Sequence, residues 1–359
     1  MNITPLSIDI ISIIKVFGLA SVSFVFAILI TPLLSHYMYK YKLWRKAVRT
    51  RAPDGSGTPL FAELHKDREM RVPRFGGILI WLTTMLVAGI VWLISQLTDS
   101  AFWDKANFIS RNQTWLPLFT MAAASLLGLV DDFMQVWQRG SYVAGGVKFM
   151  YRLGIVCLIA LAGALWFYYK LDWRTIYIPG YGELFIGMWY IPLFIVIMVL
   201  LFSSGIVDGI DGLAGGVFAS VFAAYGGIAL FRGQVDLAAF SAVVIGALLA
   251  FLWFNIPPAR FYMGESGIIG LTTALTVVAF LTDSAVVLPL IGFILMLEVA
   301  SNVIQLTSKR FFGRKVFLIA PIHHHFEAIG WPPYKVTMRF WVISMVMAII
   351  GMAVALIGR

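Results

Sequence analysis

Apolar residues run through this chain in stretches of about twenty with hardly a polar break, too continuous for the one-sided stripe of a helix in water. They fall near residues 10–34, 76–97, 115–130, 153–169, 189–206, 213–231, 237–254, 267–281, 285–304 and 340–357. A helix needs about 20 mostly apolar residues to cross the hydrocarbon core. The pattern therefore predicts an all-α polytopic membrane protein with about ten transmembrane helices, residues 1–359 forming a single domain. The first stretch is longer than a signal-peptide core and has neither a basic lead nor a small-residue cleavage pattern, so it is expected to be a retained span.

The polar breaks orient the bundle. Ten Lys and Arg lie from Lys40 to Arg74, whereas the next connection has only Lys105 and Arg111 against Asp99 and Asp104. Because cationic residues resist translocation, the first connection is predicted to be cytoplasmic and both termini outside. The same parity puts the connections 131–152, 208–212, 255–266 and 309–339 inside, and these hold nearly every unusual polar residue of the chain. Trp166, Tyr168, Tyr169, Trp173, Tyr177 and Tyr190 gather on an outward connection, as an interfacial belt does. Within it, the alternation Thr175-Ile-Tyr-Ile suggests a short hairpin.

Composition agrees: 60% of the residues are hydrophobic and 13% charged, far from the balance of a soluble domain. The net charge of +9 sits beside hydrophobic spans rather than in a soluble module with interleaved aromatics, so no nucleic-acid partner is expected. Cys157 is the single cysteine, which excludes internal disulfides and cysteine metal sites.

Chemistry concentrates in the inward connections. Asp131 and Asp132 end the third span, where adjacent carboxylates repel unless a cation compensates, and a hard cation such as magnesium is the obvious one. The plainer reading is a solvated helix end. Asp208-Gly-Ile-Asp211-Gly-Leu-Ala places two acids three apart, on one face if the turn is helical, with glycines that let a polar substrate approach the backbone; helix capping explains Asp211 well and Asp208 poorly. Glu265 precedes an inside-to-outside span and Asn255 closes the one before it. Taken singly, each is an ordinary interfacial residue. His323, His324 and His325 adjoin within Ala320-Pro-Ile-His-His-His-Phe-Glu. Consecutive histidines cannot all face one metal from a helix, so donation to phosphate or proton carriage suits them better than a structural zinc site. Lys148, with Arg139 and Arg152 nearby, offers cations for a pyrophosphate or lipid phosphate, or is simply a positive-inside residue.

In order along the chain, Gly76-Gly77, Asp131-Asp132-Phe133, Lys148-Phe149, Asp208-Gly-Ile-Asp-Gly-Leu-Ala, Trp253-Phe-Asn, Met263-Gly-Glu and the triple-histidine segment resemble the phospho-N-acetylmuramoyl-pentapeptide transferases. These belong to the polyprenyl-phosphate N-acetylhexosamine-1-phosphate transferase superfamily. The resemblance runs from about the first span to the last. It implies transfer of phospho-MurNAc-pentapeptide from UDP-MurNAc-pentapeptide to undecaprenyl phosphate, giving lipid I and UMP with Mg2+ as cofactor, in peptidoglycan and cell-wall synthesis. It further implies a bacterial inner membrane location with the active site facing the cytoplasm, and a homodimer.

Residue by residue, the resemblance implies catalytic roles for Asp131, Asp132, Asp208 and His324. It implies substrate binding by Lys148, Asp211, Asn255, Tyr262, His323 and His325, with Asn255 and Tyr262 near the nucleoside, and a metal ligand in Glu265. Three departures from the usual family pattern stand out. Asn-Leu-Thr-Asp-Gly reads Gly205-Ile-Val-Asp-Gly, Met-Gly-Asp ends in Glu265, and Thr-Pro-Thr-Met-Gly-Gly reads Val72-Pro-Arg-Phe-Gly-Gly. A usual lysine in that loop aligns near Glu69, where Arg68, Arg71 or Arg74 is a candidate replacement. The rival readings are a transferase for another UDP-N-acetylhexosamine, an inactive relative, and an ion-coupled transporter, the last of which requires acids near the bilayer midplane.

Overall fold

The computed structural model describes residues 10–46, 71–110, 112–139 and 146–358. Arg49, Arg51, Lys66, Arg68, Glu69 and Arg111 lie outside the described residues. The chain forms α1 (Ile10–Lys40), α2 (Gly77–Leu97), a short α3 (Ala101–Ala106), α4 (Trp115–Trp137) and α5 (Phe149–Leu165). The hairpin β1 (Thr175–Ile178) and β2 (Gly182–Phe185) follows, then α6 (Tyr190–Ser203), α7 (Leu213–Phe231), α8 (Val235–Asn255) and α9 (Gly264–Leu281). The last elements are α10 (Leu288–Ile291), α11 (Phe293–Phe312), α12 (Ile322–Ala328) and α13 (Pro333–Ile357).

Among the described residues, nine helices are long and apolar enough to cross a membrane, and the bent pair formed by Ala285–Ile291 and Phe293–Phe312 makes the number ten if it is counted as one span. The stretch near 285–304, expected as one span, is bent by 83° between those two helices. Gly292 stands at the break. The hairpin is antiparallel as expected, with Thr175 opposite Phe185 and Ile178 opposite Gly182.

Lipid tails are as apolar as the side chains they touch, so such helices associate through close packing and buried polar contacts rather than by leaving water. α9 is the axis of the bundle: 94% of its most apolar window is buried, against 28% for α1 and for α13. Around it Phe167, Tyr190, Phe194 and Phe280 interlock, with the Phe194 and Phe280 ring centroids 4.5 Å apart.

The helices alternate in direction and give the bundle two unlike ends. At one, the hairpin meets the end of α13, with the Gly180 N–H donating to the Gly358 carbonyl at 2.9 Å. This hairpin end also holds Lys15, whose ammonium lies 2.6 Å from Asp236 and 2.8 Å from the Asn107 carbonyl, tying α1 to α8 and the loop after α3. At the other end lie the 208–212 turn, the starts of α2, α5 and α9, the end of α4, and α12. All of the candidate acids and histidines meet there.

Candidate active site

The acidic end is built around the first turn of α9. Gly264 has φ of +72°, a conformation open to glycine without strain, and its neighbours' N–H groups point at carboxylates brought from other helices. Asp132, fully buried, accepts from the Glu265 N–H and the Ser266 N–H at 2.9 Å each. It therefore caps a helix other than its own, satisfying donors that a helix start leaves unpaired. Asp208 accepts from the Gly264 N–H at 3.1 Å. Segment 73–77 lies alongside, the Tyr262 N–H donating to the Pro73 carbonyl at 2.7 Å and the Gly76 N–H to the Tyr262 carbonyl at 2.8 Å.

Asp131 points the other way along the same turn of α4. It accepts from the Val147 N–H at 2.6 Å and from Gln135 at 2.7 Å, and pairs with Arg152 at 3.1 Å. Arg152 also reaches Glu265 at 2.7 Å, so one guanidinium bridges two carboxylates. Arg45 bonds the carbonyl oxygen of Gln135 and extends this chain to the end of α1. Asp131 is thus faced by the Arg152 guanidinium, and Asp132 by helix amides and the Arg74 guanidinium. Arg74 is the second guanidinium of the cluster, its charge acting on Asp208; of the two described candidates for the missing lysine, Arg71 and Arg74, it is the one whose charge acts on the acids.

Asp208 and Asp211 do not share a helical face as expected. Residues 208–212 turn without forming a helix, and the two acids diverge: Asp211 accepts from the Ala259 N–H at 3.1 Å. α13 clamps this turn through Thr337 to the Asp211 carbonyl and Trp341 to the Gly212 carbonyl. Burial pushes the Asp208 carboxyl up to about 6 against the pull of Arg74 and the Gly264 N–H, and Glu265 and Asp211 add to the rise.

Asn255 is engaged at both ends of its amide, accepting from the Gly212 N–H at 2.9 Å and donating to the Phe261 carbonyl at 2.8 Å. It stitches the loop after α8 to the turn before α7. Tyr262 is half-buried beside Gly76. Lys148 caps the start of α5 next to Val147, with its side chain exposed. His323 and His324 pack against the 208–212 turn, their ring centroids 4.1 Å apart. His325 faces away, accepting from the Leu318 N–H at 3.3 Å with its ring edge-on to Phe317.

Comparison with known proteins bears on the same stretches. Residues 114–283 match Glycosyl transferase family 4. The chain is 31% identical over 336 residues to the phospho-N-acetylmuramoyl-pentapeptide-transferase of Anoxybacillus flavithermus, covering 92% of this chain and 95% of that one. It is 32% identical over 353 residues to the enzyme of the same name from Chloroflexus aggregans, covering 94% and 89%. The chain belongs to the phospho-N-acetylmuramoyl-pentapeptide-transferase family. The transferase from Pelagibacter ubique is similar too, at 33% identity over 311 residues, 80% of this chain and 81% of that one.

Two parts of this transferase site escape a reading of motifs. Arg152 was visible only as one of several inward cations, and nothing local marks it as the bridge. Glu298, fully buried against His323 at 2.8 Å, carried a usable signal: an acid inside an apolar run.

Proposed function

We propose that this protein transfers phospho-MurNAc-pentapeptide from UDP-MurNAc-pentapeptide to undecaprenyl phosphate, forming lipid I and releasing UMP. One observation carries the reading. Acids, guanidinium groups and imidazoles from well-separated stretches converge on the first turn of α9 and the 208–212 turn, in a chain that belongs to this transferase family. In the reaction, an oxygen of the lipid phosphate bonds to the β-phosphorus of the nucleotide sugar. The bond from that phosphorus to the bridging oxygen breaks, and UMP leaves with the electron pair.

Positioning and charge neutralisation dominate such transfers. Asp131 or Asp132 orients or deprotonates the incoming phosphate, Lys148 stands at the mouth for the diphosphate, and His324 and His323 face the turn that bears Asp208. Tyr262 and Asn255 shape the nucleoside side, with Asp211 and His325 at the edges of the substrate site.

Mg2+ is part of the proposal. The donor set is tested by Asp208, whose Oδ2 takes the Gly264 N–H while no described residue bonds Oδ1, and by Glu265, one-fifth exposed beside it. Among the described residues no three metal-binding side chains cluster into a closed cage. Magnesium is commonly held by one or two carboxylates with water and substrate phosphates, so these residues fit. Glu265 and Asp208 would hold it. Bound there, it supplies positive charge to the diphosphate oxygens.

The density of Lys and Arg between α1 and α2 supports a multi-pass protein of the bacterial inner membrane with its acidic end in the cytoplasm and both termini outside. A homodimer is expected from the resemblance and is tested by the mass of the detergent-solubilised protein. Asp208 and Asp211 stand in a turn, Glu265 in the first turn of a helix, and Asp131 and Asp132 within the last two turns of α4, a placement toward one end of the bundle that favours a transferase over an ion-coupled carrier. The deciding experiment is UMP release by purified protein with undecaprenyl phosphate and UDP-MurNAc-pentapeptide, with and without Mg2+. Release that needs both lipid and metal supports the proposal, whereas turnover of UDP-GlcNAc alone would reassign the sugar.

A further inference from the structure

Two carboxylate–imidazole pairs stand back to back beneath the Asp208 turn. Glu298 Oε2 lies 2.8 Å from His323 Nδ1, and Glu327 Oε2 lies 2.6 Å from His324 Nδ1. The far nitrogens of both rings converge on one backbone atom: a Cβ added to Gly209 would sit 2.1 Å from His323 Nε2 and 3.1 Å from His324 Nε2. Only glycine fits there, and it adjoins Asp208.

Glu298 belongs to α11, the second helix of the bent pair, and is fully buried, as is His323. An acid buried within an apolar run is costly to desolvate, and its default reading is functional. Glu298 Oε1 and His323 Nε2 have no hydrogen-bond partner among the described residues, so the pair is not a closed structural clip. An ionised carboxylate can only accept, so a neutral imidazole facing one through Nδ1 carries its proton there and presents the lone pair of Nε2 on the other side, toward the turn.

We propose that Glu298 and Glu327 are positioning residues: each fixes one histidine in the Nδ1–H form, so that both Nε2 atoms face the Asp208–Gly209 turn, where a phosphate group docks. The inference rests on the transferase reading for the identity of that phosphate. The orientation of the rings does not depend on it. In this arrangement His323 and His324 act as a pair, and the glutamates keep either ring from turning its N–H toward the acid-rich turn.

The test uses the full-length protein in nanodiscs with Glu298→Met, Glu298→Gln and Glu327→Gln. Removing one partner of a buried pair leaves the other, here His323 Nδ1, without its acceptor and destabilises a fold. Glu298→Met is therefore expected to lower the melting temperature and, per folded molecule, to lower kcat for UMP release as well, by roughly 10- to 100-fold, as loss of an orienting partner does. KM for the nucleotide sugar stays within about two-fold. Glu298→Gln, which still accepts a hydrogen bond but lacks the charge, falls between wild type and Met. A lowered melting temperature with wild-type kcat would show a structural pin and overturn the proposal.

Nitrogen-15 spectra of histidine-labelled protein read the rings directly, since the chain has only 5 histidines. Wild type is expected to show His323 and His324 protonated at Nδ1, assigned with His→Gln variants, and each glutamate variant to lose that state in its own partner. Both rings protonated at Nε2 in wild type would refute the inference. Should wild type release no UMP, the transferase reading fails while these spectra still decide the pairing. Should Glu298→Met not fold, Glu327→Gln, on the short helix α12, gives the same kinetic split or its absence.

Discussion

The two ends of the bundle handle buried charge in opposite ways. At the hairpin end the charges are matched one for one: Lys15 with Asp236 at 2.6 Å, and Arg232 facing Asp283 at 3.9 Å. At the acidic end Asp131, Asp132, Asp208, Asp211 and Glu265 crowd together, and Arg152 and Arg74 are the guanidinium groups set among them. Backbone N–H groups of α9 and of residues 147 and 259 take up part of the excess. A matched pair holds helices together and asks for nothing further. Among the described residues the carboxylates outnumber the guanidinium groups set among them and are kept in place partly by amides that carry only partial charge, an arrangement that a cation would complement.

Breaking the surplus should have the largest effect. Asp208→Asn is expected to lower kcat for UMP release by about 10²- to 10³-fold, with the melting temperature kept or raised because a carboxyl that burial holds near 6 is replaced by a neutral amide. An active Asp208→Asn would mean that the surplus has no chemical use. Next comes Arg152→Gln, which leaves Asp131 and Glu265 without their shared cation. Its melting temperature should fall, and added Mg2+ should restore it more than it raises the wild type. Indifference to Mg2+ would detach Glu265 from any metal role.

The matched end should respond only in stability. Lys15→Met alone is expected to cost about 3 kcal/mol, since Asp236 is then left unpaired, and the double change with Asp236→Leu should recover most of it. UMP release per folded molecule should stay at the wild-type level in both, and a drop in kcat would join the two ends functionally. The smallest effect belongs to Arg174→Ala. Its 2.8 Å pair with Asp172 is exposed on both sides, so no measurable shift in melting temperature is expected.

Much of this was legible in the chain. The crossings follow from apolar length, and the described helices fall on them, several extending six to eight residues further at the end that carries the acids. The turn 208–212 and the histidine run were visible as polar islands in apolar sequence. The purpose of individual polar residues was less visible. Asn255, which the resemblance places near the nucleoside, is engaged on both sides by the protein backbone, a contact that no motif announces. Glu298 and Lys15 were passed over because each sits alone in an apolar run, although an isolated charge there is itself a signal. The bend at Gly292 was not expected, although Pro289 and Gly292 within the stretch are residues that interrupt helices.

The sequence by itself determined the solvent, the number of crossings and which connections carry chemistry, because the cost of exposing polar backbone or charge to lipid acts on each segment independently. Tertiary structure alone decided the pairings: that Arg152 bridges Asp131 and Glu265, that Asp132 caps α9, and that His323 and His324 turn the same edge toward Gly209. Those contacts join residues from separate helices, and their strength falls away within a few ångströms. Only the packed bundle brings them within reach.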